Sequence, residues 1–109
     1  MPGSLTGKSS LAYRTGVEDL FHALAAPARQ QILDVLSERD GQTLFEICTR
    51  LSSRTTLSRQ AISQHLDVLE RCGLVTTRRE GRYKFHHLDT TPLRAILERW
   101  PGRTEGDRT

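Results

Sequence analysis

Residues 57–85 read LSRQAISQHLDVLERCGLVTTRREGRYKF. Within them Ile62, Leu66 and Leu69 recur at the spacing of one helical face, flanked by Ala61, His65 and Val68. Ser58 stands where an N-cap belongs, its hydroxyl able to accept a bond from an unpaired N–H of the first turn. Cys72-Gly73 ends the helix, with Gly73 as the left-handed stop. Beyond it, residues 74–79 and 82–88 have strand character and are joined by Glu80-Gly81, a hairpin signal. The stretch therefore predicts a short amphipathic helix running straight into a hairpin whose tip carries Arg78, Arg79 and Arg82.

The outer stripe of that helix is Arg59, Gln60, Ser63, Gln64, Asp67 and Arg71. Arg can chelate a guanine edge, Gln an adenine edge, and Ser can bond a base or a phosphate. The positive end of the helix dipole points the same way. At the hairpin tip three arginines repel one another, and Glu80 offsets only one of them; a phosphate row or minor groove would supply the missing anion. A surface helix is polar outside in any case, and a charged turn can serve solubility alone. It is the helix and the basic hairpin together that favour a double-stranded DNA reader.

Working outward, Val17, Leu20, Phe21, Leu24 and Ala25 predict a first helix over about 16–26. Pro27 suits the first turn of a second helix, which carries Ile32, Leu33, Val35 and Leu36 and stops near Asp40-Gly41. Thr43 and Glu46 have capping-box spacing for a third helix with Leu44, Ile47, Cys48 and Leu51 on its apolar face. Residues 52–57, SSRTTL, form a polar connector, and Thr90 or Thr91 with Pro92 opens a fifth helix bearing Leu93, Ile96, Leu97 and Trp100. Residues 1–15 are expected as a flexible arm, with a short docked segment at Leu11 and Tyr13, and 101–109 as a polar tail. The expected fold class is mainly α with a small β-hairpin (α+β): a winged helix-turn-helix domain over 16–100, five helices and a two-stranded wing.

The 109 residues suffice for one domain with a modest core. The net charge is +3, but residues 50–84 hold eight basic and three acidic side chains, an excess of five positive charges, while the rest of the chain is slightly acidic. Such a contiguous excess suits a polyanion-binding face. No apolar run approaches the roughly 20 residues of a membrane span, and MPGSLTGKSS lacks the apolar centre of a signal peptide. A cytoplasmic protein with no membrane partner is expected, its Cys48 and Cys72 present as free thiols.

From about Leu20 to Trp100 the chain resembles the ArsR-type winged-helix repressors, through LFHALAAPARQQILDVL, LSRQAISQHLDVLERCGLV and RREGRYKFHHL. The resemblance implies a homodimer held by the first and last helices, binding an imperfect palindrome and repressing by promoter occlusion, often with relief by a metal or other signal. By position, it assigns DNA contact to Ser58, Arg59, Gln60, Ser63, Gln64 and His65, with the wing residues Arg78, Arg79 and Arg82 beside them. The connector is about four residues longer than the tight turn usual in that family. Arg54 within it could reach a phosphate.

The family's metal sites are not matched. Cys48 holds one position of the arsenic-type site, but Arg50 stands where the partner thiolate would be; the last helix has Glu98 and no His. His86 and His87 neighbour Asp89, yet adjacent strand residues point to opposite faces. No metal and no cofactor are expected. A small-molecule or redox inducer is left open. The subunit interface is expected to use Leu20, Phe21, Leu24, Leu93, Ile96, Leu97 and Trp100, because a reader of a two-fold site needs two recognition helices one DNA turn apart.

Three other classes compete. An enzyme would need an acid pair, a nucleophile set or a phosphate loop, and the sequence offers none in a cleft-forming context. A winged-helix protein–protein interaction module is the principal alternative; it would present an apolar or acidic recognition face. RNA binding would favour exposed aromatics for base stacking.

Overall fold

The computed structural model describes residues 16–102. The arm expected over 1–15, with its segment at Leu11 and Tyr13, and residues 103–109 of the tail lie outside the described residues. Residues 16–24 are helical and form α1. There follow α2 (Pro27–Glu38), α3 (Leu44–Leu51), α4 (Arg59–Arg71), the antiparallel strands β1 (Val75–Glu80) and β2 (Tyr83–Leu88), and α5 (Thr91–Arg99). Five helices and a two-stranded hairpin are the expected winged helix-turn-helix architecture.

Each boundary has a local cause. α1 ends two residues earlier than its apolar spacing suggests because Pro27 opens α2, and a residue before proline is pushed out of helical conformation. α3 begins on a complete capping box: Thr43 Oγ1 accepts from Glu46 N (3.2 Å), and Glu46 Oε1 accepts from Thr43 N (2.9 Å). α4 begins on Ser58, whose hydroxyl accepts from Ala61 N at 3.1 Å. α4 ends in a Schellman motif: Leu74 N donates to Leu69 O (3.0 Å) and Gly73 N to Glu70 O (3.1 Å), with Gly73 at φ 85°. Leu69 and Leu74 are both fully buried, completing the apolar contact that accompanies this motif. Thr90 is the N-cap residue of α5 but its side chain makes no capping bond; Asp89 Oδ1 accepts from Thr91 N instead (2.9 Å).

The hairpin pairs Val75 with Leu88 through Glu80 with Tyr83. Its loop is therefore Gly81-Arg82, one residue beyond the expected Glu80-Gly81 tip, with Gly81 supplying the positive φ (62°) at the first central position. A third short strand-like contact was not legible in the sequence. Gln42 bridges His86, with Gln42 N donating to His86 O (3.1 Å) and His86 N to Gln42 O (2.7 Å). The Gln42 amide, fully buried, also donates to Val35 O (3.0 Å) and Arg39 O (2.5 Å), closing the end of α2. One residue thus ties α2 to the hairpin, although its Oε1 is buried without a partner.

The core is one cluster. It joins Leu20 and Ala23 of α1, Ile32, Val35 and Leu36 of α2, and Ile47 and Leu51 of α3. Ile62, Leu66 and Leu69 of α4 complete it with Leu74 and Val75. The inward faces of α2, α3 and α4 are thus those their periodicity predicts. Leu20 requires a correction: expected at the subunit interface, it is only 3% exposed and packs inward with Ala23, one helical turn on, while its neighbour Phe21 turns out at 50% exposure.

Candidate nucleic-acid interface

α4 is held along its length by the core, so its opposite stripe is fixed in direction. Arg59, Gln60 and Gln64 are exposed on the first two turns, and Ser63 is half-buried toward the wing. Thirteen residues make a rod of roughly 20 Å, of a width that a major groove about 12 Å across admits. Arg59 and Ser63 of α4 and Arg82 of the hairpin tip border one cleft. The N-terminal half of the helix and the tip of the wing therefore belong to one face.

The wing is electrostatically unfinished. Arg79 lies directly across from Lys84, a like-charge cross-strand pair that destabilises an isolated hairpin. Lys84 Nζ has a partial partner in Glu70 at 3.8 Å, and Arg78 Nε in Glu80 at 3.4 Å. Glu70 also accepts from Thr77 Oγ1 (3.0 Å), which fastens the end of α4 to β1. Among the described residues Arg79, Arg82 and Arg59 have no ion-pair partner within 4.0 Å. Anionic phosphates would supply one.

Two expected contact residues are already engaged. Arg54 donates through Nη2 to both oxygens of Glu38 (3.0 and 2.9 Å), in a connector that makes a turn at 52–54 and continues without regular structure to Ser58. The connector is thus tied to the end of α2 through Glu38 and to the end of α3 through Leu51 O, which accepts from Arg54 N and Thr55 N. His65 is half-buried, and its Nδ1 accepts from Arg29 Nη1 at 3.1 Å. Burial pushes the His65 pKa below its usual value and the Arg29 charge pushes it the same way, so the neutral, accepting ring is favoured.

Arg29 is the residue that the sequence reading missed. It is 8% exposed, and besides His65 it donates through Nε to Ala23 O (2.9 Å) and through Nη2 to His22 O (3.2 Å). It satisfies the carbonyls at the end of α1, where no glycine is available, and connects that helix end to the recognition helix. A signal existed: Arg29, Ile32 and Leu36 share the inward spacing of α2, so a cation at that position needed partners.

Neither the histidines nor the cysteines form a ligand cluster. His86 is buried and donates from Nδ1 to Gln42 O (2.9 Å), while His87 donates from Nδ1 to Asp40 (2.9 Å), on the opposite face as strand alternation requires. Burial raises the Cys48 pKa against the smaller opposing charge of Arg59, which disfavours a reactive thiolate. Cys48 and Cys72 are free and half-buried against the core. Among the described residues no group of three or more His, Cys, Asp or Glu could hold a metal ion, and no helix is long and apolar enough to cross a membrane.

The expected interface residues divide in two. Leu24, Leu93 and Ile96 are partly buried against this chain's own core. Phe21, Leu97 and Trp100 are 50%, 65% and 54% exposed. Arg99 lies over the Trp100 ring at 4.8 Å.

This geometry has counterparts. A helix-turn-helix domain family matches residues 24–78. A regulator of Bacillus subtilis, the HTH-type transcriptional regulator YuzN, is 46% identical over 83 residues, 74% of this chain and 90% of its own length. The solved ArsR-like transcriptional regulator from Rhodococcus sp. RHA1 superposes with a TM-score of 0.65 at 32% identity, covering 89% of this chain and 88% of that one. The homodimeric winged helix-turn-helix DNA-binding domain of Mycobacterium bovis Mb0332 superposes equally well (TM-score 0.65, 27% identity, 84% and 83% covered). With the capped recognition helix, the basic wing and these relatives in agreement, the chain belongs to the ArsR-type winged helix-turn-helix transcriptional regulators.

Proposed function

We propose that this protein acts in the cytoplasm as a homodimeric repressor, which binds a two-fold symmetric operator in double-stranded DNA and occludes a promoter. The observation that carries the reading is that Arg59 of α4 and Arg82 of the wing tip, neither with an ion-pair partner among the described residues, border one cleft, while Gln60 and Gln64 stand exposed on the same first two turns of α4. The exposed Gln and Arg side chains supply direct base contacts, with Ser63 at the edge of the same stripe and Ser58 at the helix start near a phosphate. Arg79 and Arg82 grip the backbone or minor groove, with Arg78 shared with Glu80. His65 and Arg54 contribute by positioning, since their polar ends already have protein partners. Phe21, Leu97 and Trp100 supply the apolar surface between subunits, in keeping with the homodimeric M. bovis domain.

The test is selection and sequencing of DNA fragments retained by the purified protein, followed by anisotropy titration on the enriched site. Log affinity should fall linearly with log salt. Gln64→Ala should cost about 1–3 kcal/mol at particular base positions, whereas Arg79→Ala should weaken all sequences alike and flatten the salt slope by about 1. Two-fold symmetry should show in the enriched sequence, and a promoter carrying it should lose reporter output when the protein is expressed. Titrations insensitive to both substitutions would refute the assigned face. An apolar partner protein captured in place of DNA would favour the interaction-module reading.

A further inference from the structure

We propose that the cleft between α3, α4 and the wing binds a small planar aromatic anion, and that this ligand competes with DNA for Arg59 and Arg82. The competition rests on the DNA interface proposed above; the binding site itself does not. The cleft has a volume of about 760 Å³, within the usual range for small-molecule sites of roughly 300–1,000 Å³. Its lining is mainly apolar and includes three aromatic rings, Phe45 from α3 and Tyr83 and Phe85 from β2. The Tyr83 and Phe85 rings lie 6.2 Å apart between centroids at 41°. Phe45 and Tyr83 are 66% and 57% exposed, large apolar surfaces for which neither the fold nor the recognition stripe has a use. A flat ring inserted beside them would cover both.

Charge selects the ligand further. The bordering charged residues are Arg59, Arg82 and Lys84 against Glu46 and Asp67, a net +1. Glu46 is engaged in the Thr43 capping box and Lys84 reaches Glu70, whereas the guanidinium groups of Arg59 and Arg82 have no hydrogen bond or ion pair among the described residues. A carboxylate is the natural partner of such guanidinium forks. Asp67 lies eight residues along α4 from Arg59, roughly 12 Å, so the anionic group belongs at the Arg59 end and the ring toward Tyr83 and Phe45. A sugar-phosphate strand would leave the aromatic walls uncovered, and a neutral arene would leave the arginines unpaired.

The probe is naphthalene-2-carboxylate, titrated calorimetrically into the full chain, with naphthalene-2-carboxamide as its uncharged counterpart. Submillimolar binding of the carboxylate is expected, at least tenfold tighter than the carboxamide. Phe45→Ala and Tyr83→Ala should each weaken it at least fivefold. Neither residue is placed in the core or among the DNA contacts, so both variants should keep the wild-type thermal midpoint and DNA affinity. Carboxylate at about ten times its wild-type dissociation constant should weaken DNA binding by the wild type about tenfold and by Phe45→Ala no more than about threefold, since competition scales as one plus ligand over dissociation constant. No binding at millimolar concentration, equal binding of the carboxamide, or indifference to both substitutions would overturn the site. Binding with the expected variant pattern and unchanged DNA affinity would uphold the site and overturn the competition. Should the chain bind no DNA at all, the calorimetry still decides the site alone.

Discussion

α4 and α5 are both short amphipathic helices, yet α4 buries Ile62, Leu66 and Leu69 while α5 buries no residue. The difference lies in their neighbours. α4 is enclosed by α2, α3 and β1, and its apolar stripe closes the core from below. α5 follows the wing, and only Leu93 and Ile96 reach that core; Leu97 and Trp100 remain outside. A helix whose apolar face is consumed within its own chain has its polar face fixed as a reading surface. A helix with apolar surface left over is suited to meeting a second copy.

The comparison is most easily broken by truncating one leucine in each helix. Leu69→Ala removes a fully buried side chain at the Schellman closure and should cost about 2–5 kcal/mol, read as a lower urea midpoint at unchanged slope. Leu97→Ala, at a site 65% exposed, should stay within about 0.5 kcal/mol of wild type when subunits are dilute enough to be monomeric. Equal losses would mean that α5 is as integral to the fold as α4.

A smaller effect sharpens the other half. Trp100→Ala should raise the dimer dissociation constant by about tenfold or more, the behaviour of a central aromatic anchor, while leaving far-UV circular dichroism of the monomer intact. Sedimentation over a concentration series reads this directly. A wild-type dissociation constant in the Trp100→Ala protein would move the interface away from α5.

The sequence was most legible where one periodicity or one cap decides the outcome. Thr43, Ser58 and Gly73 declare helix ends because few residue types can satisfy those unpaired groups, and Ile62, Leu66 and Leu69 declare a face because 3.6 residues make a turn. Less legible were residues whose role depends on a distant carbonyl or charge. Gln42 reads locally as a turn residue, yet it is fully buried and holds α2 to β2. Arg29 reads as a surface cation on α2, and only tertiary packing brings the end of α1 and His65 within its reach. Arg54 reads as a phosphate contact because nothing local places Glu38, sixteen residues earlier, beside it. Leu20 and Phe21 are adjacent, about 100° apart around the helix axis, and only the tertiary packing of α1 decides which one faces outward. Similarly, Tyr83 and Phe85 read simply as strand formers; their cleft with Phe45 exists only once α3 and the wing are juxtaposed.

The smallest effect expected is one of pH, and it too should separate the two regions. Burial lowers the pKa of both His65 and His86, the first on the recognition helix and the second on strand β2 of the wing. In the unfolded chain each returns to about 6.5. At pH 7.5 both rings are neutral in either state and contribute no difference. As pH falls through 6.5 the unfolded chain takes up protons that the folded chain resists, so stability declines until the folded-state values are passed. Protonated His65 would also lose its role as acceptor for Arg29 and set two cations 3.1 Å apart. The urea midpoint should therefore be lower at pH 5.5 than at pH 7.5, with the gap narrowed in His65→Gln, whose side-chain carbonyl can still accept from Arg29. The shifts of Asp40 and Asp89 are downward from the ordinary carboxylate range and fall outside this window. α5 carries no histidine, so the contribution of Leu97 and Trp100 to subunit association should change less than the fold across the same interval. A midpoint that holds steady or rises on acidification would show that the His65 ring is not the neutral acceptor the Arg29 contact requires.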